Sequence, residues 1–237
     1  MKKFVDVALL GAGGAGKGTQ AKNIIRAANE ELQSILCNFS TGDEFRKAKK
    51  NEKLMEKGLR APDDDAIELF NRLATSHKRQ AADGAIWDGF PRSDFQLDHY
   101  KQYQEENGII SVGAILLDAE PEVIFDRLEK RKILENRADD TPDAIAKRIA
   151  GFREWGLPIA EDFAREGQLI TIKQEKVNET EQEIWARLWP ELEPRLHVCF
   201  AKAENSRILK PYYSFAGQTA PTVGKCSNDS NLQSIRT

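Results

Sequence analysis

The sequence predicts an α/β protein: a five-stranded parallel sheet with helices on both faces. Three observations carry this. Apolar runs of strand length alternate with helical patterns along most of the 237 residues, and such alternation is what a parallel sheet with crossover helices requires. The run Val112 to Leu117 is almost wholly apolar, as a strand covered on both faces should be. The first apolar run, Phe4 to Leu10, leads directly into a glycine-rich turn and then a helix.

Each element has its own signal. The turn opens a helix over about Gly16 to Gln33, and a short strand follows at Ile35 to Phe39. Ser40-Thr41-Gly42-Asp43 carries helix-start residues. Lys47 to Leu59 is basic and polar, poor core material, and reads as an exposed helical insert. Pro62 sits in the first turn of a helix expected to reach about Asp83, with Ile67, Phe70, Leu73 and Ala74 at helical spacing. A third strand, Ala85 to Asp88, ends at Gly89-Phe90-Pro91-Arg92, and its Trp87 reads as core. Helices are expected at Asp94 to Glu106, from Pro121 to about Arg131, and from Thr141 to about Arg165. The last of these carries a disturbance at Gly156-Leu157-Pro158. A fifth strand at Leu169 to Ile172 and a last helix at Glu179 to Leu188 complete the pattern. The division expected is a core over residues 1–197, with an insert at about 42–70 and a short cover segment at about 132–140. Residues 198–237 turn rich in Ser, Asn, Gly, Thr and Pro and are expected to be a poorly ordered extension. Its aromatic cluster, Tyr212-Tyr213-Ser214-Phe215, is the part with the means to dock on the core.

The turn itself is the first functional signal. Gly11, Ala12, Gly13, Gly14, Ala15, Gly16, Lys17, Gly18 and Thr19 match the phosphate-cradling spacing G-x-x-x-x-G-K, placed between strand and helix. Glycines let backbone N–H groups converge on phosphate oxygens, and the helix N-terminus adds its positive dipole end. The fold class is thus P-loop NTPase-like. The dinucleotide pattern G-x-G-x-x-G also fits formally, but that turn has no use for Lys17. Gly18 stands where the usual cradle has Ser or Thr, and the hydroxyl arrives one place later at Thr19.

Composition excludes several classes. Formal net charge is -3 with 31% charged residues, which points to no nucleic-acid or anionic-membrane partner. No apolar run approaches a membrane span. Met1-Lys2-Lys3 could mimic a signal peptide, but Asp6 interrupts the apolar run that follows. Cys37, Cys199 and Cys226 are scattered and without histidines at metal spacing, which favours a reducing compartment and gives no structural zinc. The expectation is a cytoplasmic monomer. His77, His99 and His197 read as solvated, and Cys37 as a small buried strand residue.

Arginines narrow the chemistry. Arg46 and Arg92 follow strand ends, where ligands of an open α/β sheet bind. Arg127 and Arg131 are four apart on one helix, Arg137 precedes Asp139-Asp140, and Arg148 lies on the next helix. The planar guanidinium pairs with phosphate oxygens two at a time and stays charged.

Taken in order, four blocks resemble the adenylate kinase family of nucleoside monophosphate kinases, in its short-lid form. Gly11 to Thr19 is similar to that family's cradle, G-x-P-G-x-G-K-G-T, which accounts for Gly18. Phe39-Ser40-Thr41-Gly42-Asp43 with Arg46 resembles its monophosphate-binding turn. Asp88-Gly89-Phe90-Pro91-Arg92 with Gln96 is similar to its most specific signature, and Arg137 to Asp140 with Arg148 resembles the closing segment. The resemblance implies a reversible transfer of the γ-phosphate of ATP to AMP. It implies that Lys17, Thr19 and the cradle hold ATP phosphates and that Asp88 orients Mg²⁺ through water. It implies that Arg127 lies against the ATP base, and that Arg46 and Arg92 clamp the AMP phosphate. Arg131, Arg137 and Arg148 would neutralise the transferring group, with Arg137 and Arg148 also facing AMP. Asp139 and Asp140 would hold the lid closed. Thr41, Met55, Leu59, Ala61, Gly89 and Gln96 would surround AMP, with Gln96 on the base edge. Gly13 departs from the family proline, and both the insert and the lid are short. Three other readings are a UMP or CMP kinase, a non-catalytic nucleotide-binding module with a docking tail, and a GTPase. The last lacks a guanine-reading N-K-x-D.

Overall fold

The computed structural model describes residues 3–135 and 141–208. In chain order come β1 (Val5–Leu10), α1 (Lys17–Glu31), β2 (Leu36–Ser40), α2 (Thr41–Lys47), α3 (Glu52–Glu56), α4 (Asp63–Ala74) and α5 (His77–Ala81). Then follow β3 (Gly84–Asp88), α6 (Asp94–Glu106), β4 (Ile110–Ala119), α7 (Pro121–Glu135), α8 (Pro142–Gly151), α9 (Leu157–Arg165), β5 (Leu169–Gln174) and α10 (Glu181–Ile208). The strands are all parallel, in the order β2-β3-β1-β4-β5. β1 is central, and the chain leaves it first towards β3 and β2 and only later towards β4 and β5. That reversal creates a crevice beyond the C-terminal end of β1.

Alternation along β1 assigns its side chains to two cores. Val5, Val7 and Leu9 pack with Ile24 and Ala28 of α1 and with Leu188, Leu192 and Leu196 of α10. Ala8 and Leu10 pack on the other face with Phe70 of α4, Leu97 and Tyr100 of α6 and Phe163 of α9. Trp87 is core, as expected, packed between Phe39 and Phe70 with tilted rings at centroid distances of 5.0 and 4.4 Å. Burying each such large apolar side chain contributes about 1.5–3 kcal/mol.

Several expectations are corrected. The helix expected from Pro62 to Asp83 is broken. Thr75 turns its hydroxyl back onto the Asn71 carbonyl (3.0 Å), and Ser76 caps α5 by accepting from Arg79 N (3.3 Å). The restart points Arg79 inward, onto Asp6. The last helix does not end at Leu188. It runs to Ile208 through Pro190 and Pro194, and the composition change at Val198 falls inside it. Leu192, Leu196, Cys199, Phe200 and Ala203 continue the buried stripe, and that packing outweighs the two missing backbone donors. The rest of the extension, 209–237, with Cys226, lies outside the described residues.

The disturbance at Gly156-Leu157-Pro158 is a π-helical turn, Phe152–Gly156. Pro158 cannot donate one turn back, so the ladder changes register. His77 and His197 are open to solvent, whereas His99 is half-buried, bonded to Asn71 Oδ1 (2.8 Å) and edge-on to Phe70. Cys37 is buried in β2, as expected, and Cys199 is buried in α10; both are free thiols. Among the described residues no helix is long and apolar enough to cross a membrane.

Candidate active site

The crevice is built around the turn between β1 and α1. Gly14 and Gly16 take positive φ values, 96° and 90°, which a side chain would strain. A Cβ on Gly14 would also lie 2.8 Å from Leu128 of α7. Gly16 is the N-cap of α1, so the first amides of Lys17 and Gly18 come before the intrahelical ladder, which begins with Thr19 N and Gln20 N donating to Gly16 O (3.1 and 3.0 Å). Gly18 and Thr19 are exposed, while Ala15 is sealed in the core. Lys17 curls back over the turn, donating to Gly11 O (2.8 Å) and Ala12 O (3.1 Å).

Strand register brings the second component alongside. Leu9 of β1 pairs with Asp88 at the end of β3, and Asp88 Oδ1 thereby comes 3.9 Å from Lys17 Nζ. Burial pushes the Lys17 ammonium down to about 8; Asp88 opposes this, and the charges of Arg92 and Arg131 add to it. Immediately after Asp88, Gly89 accepts from Arg92 Nε (2.7 Å) and from the Thr41 hydroxyl (2.8 Å). Thr41 is buried, so the start of α2 is locked to the end of β3. Arg92 is desolvated by its surroundings. Asp88 supports its charge, while Arg46, Arg148 and Arg60 oppose it, and its pKa is lowered. So many guanidiniums beside one carboxylate leave a net positive site shaped for a polyanion.

The insert and α8 meet over this site. Arg148 Nη2 donates to Met55 O across the crevice (3.1 Å). A Cβ added to Gly13 would lie 3.3 Å from Arg148 Cδ, so the glycine in place of proline leaves that arginine room above the cradle. Gly58, with φ 74°, abuts Ala144 of α8, and an added Cβ would lie 2.3 Å from its carbonyl oxygen. Arg60 lies 5.0 Å from the Trp155 ring. Met55 and Ala61 are half-buried against the α4 core, and Leu59 is 49% exposed. Arg46 bends over Gly42 and pairs with Asp43 (2.5 Å). Arg137, Asp139 and Asp140, expected in the lid, lie outside the described residues.

Two contributions escaped the sequence reading. Gln174, fully buried at the end of β5, donates to Ala15 O (3.1 Å) and accepts from Arg127 Nη1 (2.5 Å). It ties α7 to the cradle, and Arg127 thereby reaches within 3.8 Å of a Cβ added to Gly16. Asp63, at the start of α4, holds Gln96 by its side chain (2.7 Å). Neither carries a motif, and only strand order and helix packing bring them in.

The family model for adenylate kinase matches residues 9–168. The chain belongs to the adenylate kinase family. It is similar to the adenylate kinase of Parabacteroides distasonis, 31% identical over 178 residues that cover 72% of this chain and 90% of the relative. The adenylate kinase of Leuconostoc mesenteroides is 33% identical over 177 residues, covering 70% and 87%. That of Thermus thermophilus is 29% identical over 190 residues, covering 77% and 94%. The matched region contains the cradle, the Asp88 to Arg92 block, the insert and α8. As a family member the chain is an enzyme, a nucleotide-binding kinase, on the α/β frame described above.

Proposed function

We propose that this chain transfers the γ-phosphoryl group of ATP to AMP, reversibly, giving two ADP, as a monomer in the cytoplasm. The observation that supports it best is the juxtaposition in one crevice of two anion sites. One is the cradle with Lys17. The other is the cluster of Arg46, Arg92 and Arg148 beneath the touching insert and α8. Free buried thiols at Cys37 and Cys199 fit a reducing compartment, and one chain supplies both sites.

The work left to the protein is positioning, charge neutralisation and exclusion of water. The cradle amides and Lys17 hold the donor phosphates, and Arg127 and Arg131 reach in from α7 towards the donor. Arg46 and Arg92 hold the acceptor phosphate, whose oxygen is already anionic, so no general base is required. Arg148 spans from α8 to the insert and carries positive charge between the two nucleotides. The insert and α8 meeting over the crevice keep water from taking the phosphoryl group.

Mg²⁺ suits the donors present. Asp88 supplies one nearly buried carboxylate and Thr19 one exposed hydroxyl, and among the described residues no group of three or more His, Cys, Asp or Glu could cage a metal. That sparse set fits a hard ion carried on nucleotide phosphates with most of its water shell. Bound there, Mg²⁺ would neutralise phosphate charge.

The test is ADP formation from ATP and Mg²⁺ with AMP, UMP, CMP and GMP in turn. AMP is the preferred acceptor. A preference for any other monophosphate ends the AMP reading, and no transfer to any of them ends the kinase reading.

Lys17 gives a pH signature. With its pKa near 8 in the free protein, it is charged below that pH and loses its proton above it. Polyphosphate beside it restores the proton. ATP binding is therefore expected to take up a proton at pH 8 and above, with uptake fading roughly two units lower, and ATP affinity falls as pH rises through this range. Calorimetry in two buffers of different protonation enthalpy measures the uptake, and equal heats in both at high pH contradict it.

A further inference from the structure

Gln96 is 1% exposed and held at both ends. Its Oε1 accepts from the backbone N of Arg92 (2.8 Å). Its Nε2 donates to Asp63 Oδ1 (2.7 Å). A side-chain amide can be turned end for end with almost no change of shape, so what matters is what forbids the turn. A backbone N–H only donates, so the end facing Arg92 N must be oxygen. An ionised carboxylate only accepts, so the end facing Asp63 must be the NH₂.

Asp63 is equipped to stay ionised. Ser93 Oγ donates to the same Oδ1 (2.8 Å), and Arg60 pairs with the carboxylate. Burial raises its pKa, but hydrogen bonds from Arg60, Ser93 and Gln96 outweigh this and hold it below the usual carboxylate range. Ser93 also accepts from Gln96 N (3.2 Å), so the whole turn after β3 is clamped on Asp63.

We propose that Asp63 is a positioning residue for base choice: it holds the Gln96 amide in the one sense that pairs with a base edge offering an exocyclic amine beside an unprotonated ring nitrogen. This rests on the reading of Gln96 as the group that meets the acceptor's base. With one Oε1 lone pair committed to Arg92 N and one Nε2 hydrogen to Asp63, the remaining lone pair meets the amine and the remaining N–H meets the ring nitrogen. Adenine presents that edge. Hypoxanthine, of the same size and shape, presents the reverse, a carbonyl beside a ring N–H, and would face oxygen with oxygen and N–H with N–H. An amide free to turn would accept both. A site that leaves buried polar groups unpaired discriminates far more sharply than one that only excludes bulk.

The experiment compares AMP with inosine monophosphate as acceptors at saturating ATP and Mg²⁺, in wild type and in Asp63→Asn. Asparagine keeps the shape but can present either end, so only the Arg92 N–H still opposes the turned Gln96 amide, and the turn meets one mismatched contact instead of two. The kcat/KM ratio of AMP to inosine monophosphate is expected to fall at least tenfold, mainly through the KM values of the two acceptors, with the KM for ATP unchanged. Asp63→Glu, which keeps an acceptor, retains most of the ratio. Circular dichroism confirms folding. Should Asp63→Asn fold poorly, Asp63→Ser, smaller and equally ambivalent, takes its place. A folded variant that keeps the wild-type ratio, or that loses both acceptors in equal proportion, overturns the proposal. A wild-type enzyme that uses both acceptors equally well overturns the underlying reading of Gln96 instead, so the two failures are told apart.

Discussion

Replacing Arg92 with alanine is expected to lower kcat about 10²–10³-fold, the loss typical when one preorganised charge-stabilising group is removed from a reaction centre. Arg92 sits directly after the β3 end, and its Nε is anchored on Gly89 O at 2.7 Å. The anchor fixes one edge of the guanidinium and leaves the others for phosphate. The positive charges of Arg46, Arg148 and Arg60 converge on the same place, so its removal leaves an acceptor phosphate less firmly aligned. Arg92 packs in neither apolar core, so the fold should survive. The measurement is steady-state ADP production, with thermal melting as the check on folding. Turnover within a few-fold of wild type, in a folded variant, would remove Arg92 from the reaction.

Replacing Arg79 with methionine is expected to cost about 3–5 kcal/mol of stability, the usual penalty for stranding one member of a buried ion pair. Asp6 is 0% exposed in the central strand, and Arg79 is 2% exposed. The Arg79 guanidinium donates to Asp6 Oδ1 at 2.6 Å, and Trp87 Nε1 donates to Oδ2 at 2.9 Å. The guanidinium also lies 4.0 Å from the Phe4 ring. Without it, the Asp6 carboxyl, whose pKa burial already raises, would remain in the core with only the indole and a backbone donor. Urea denaturation measures the loss. Changing Asp6 to asparagine in the same chain removes the stranded charge and should recover much of it. This pair lies towards the other end of β1 from the crevice, so kcat per folded molecule is unaffected. A loss below about 1 kcal/mol would mean the core relaxes or admits water around the carboxylate.

Asp6 shows where sequence reading stops. In the sequence it is an interruption in an apolar run, useful against a signal peptide and otherwise silent. Its partner is 73 residues away, on a helix that exists only because the chain restarts at Ser76. The end of α10 shows the same limit from the other side. The helix expected to stop at Leu188 before a polar turn in composition instead runs on, because a stripe of leucines and Phe200 packed on the sheet carries it through.

The candidate site divides along the same line. By itself the sequence determined the cradle, the alternation of strands and helices, and the motif blocks at Ser40 to Arg46 and Asp88 to Gln96. These are legible because their physics is local: positive-φ glycines, a helix start and a lysine all lie within a few residues of one another. The tertiary structure alone decided that Lys17 and Asp88 stand side by side, through the pairing of β1 with β3. It also decided that Arg148 meets Met55 across 93 residues, that Gln174 bridges the cradle and Arg127, and that Gln96 bonds Asp63 across 33 residues. A single hydrogen bond between distant residues leaves no period or spacing in a sequence. It exists because the sheet order and the packing of helices on it bring those side chains to the same few ångströms.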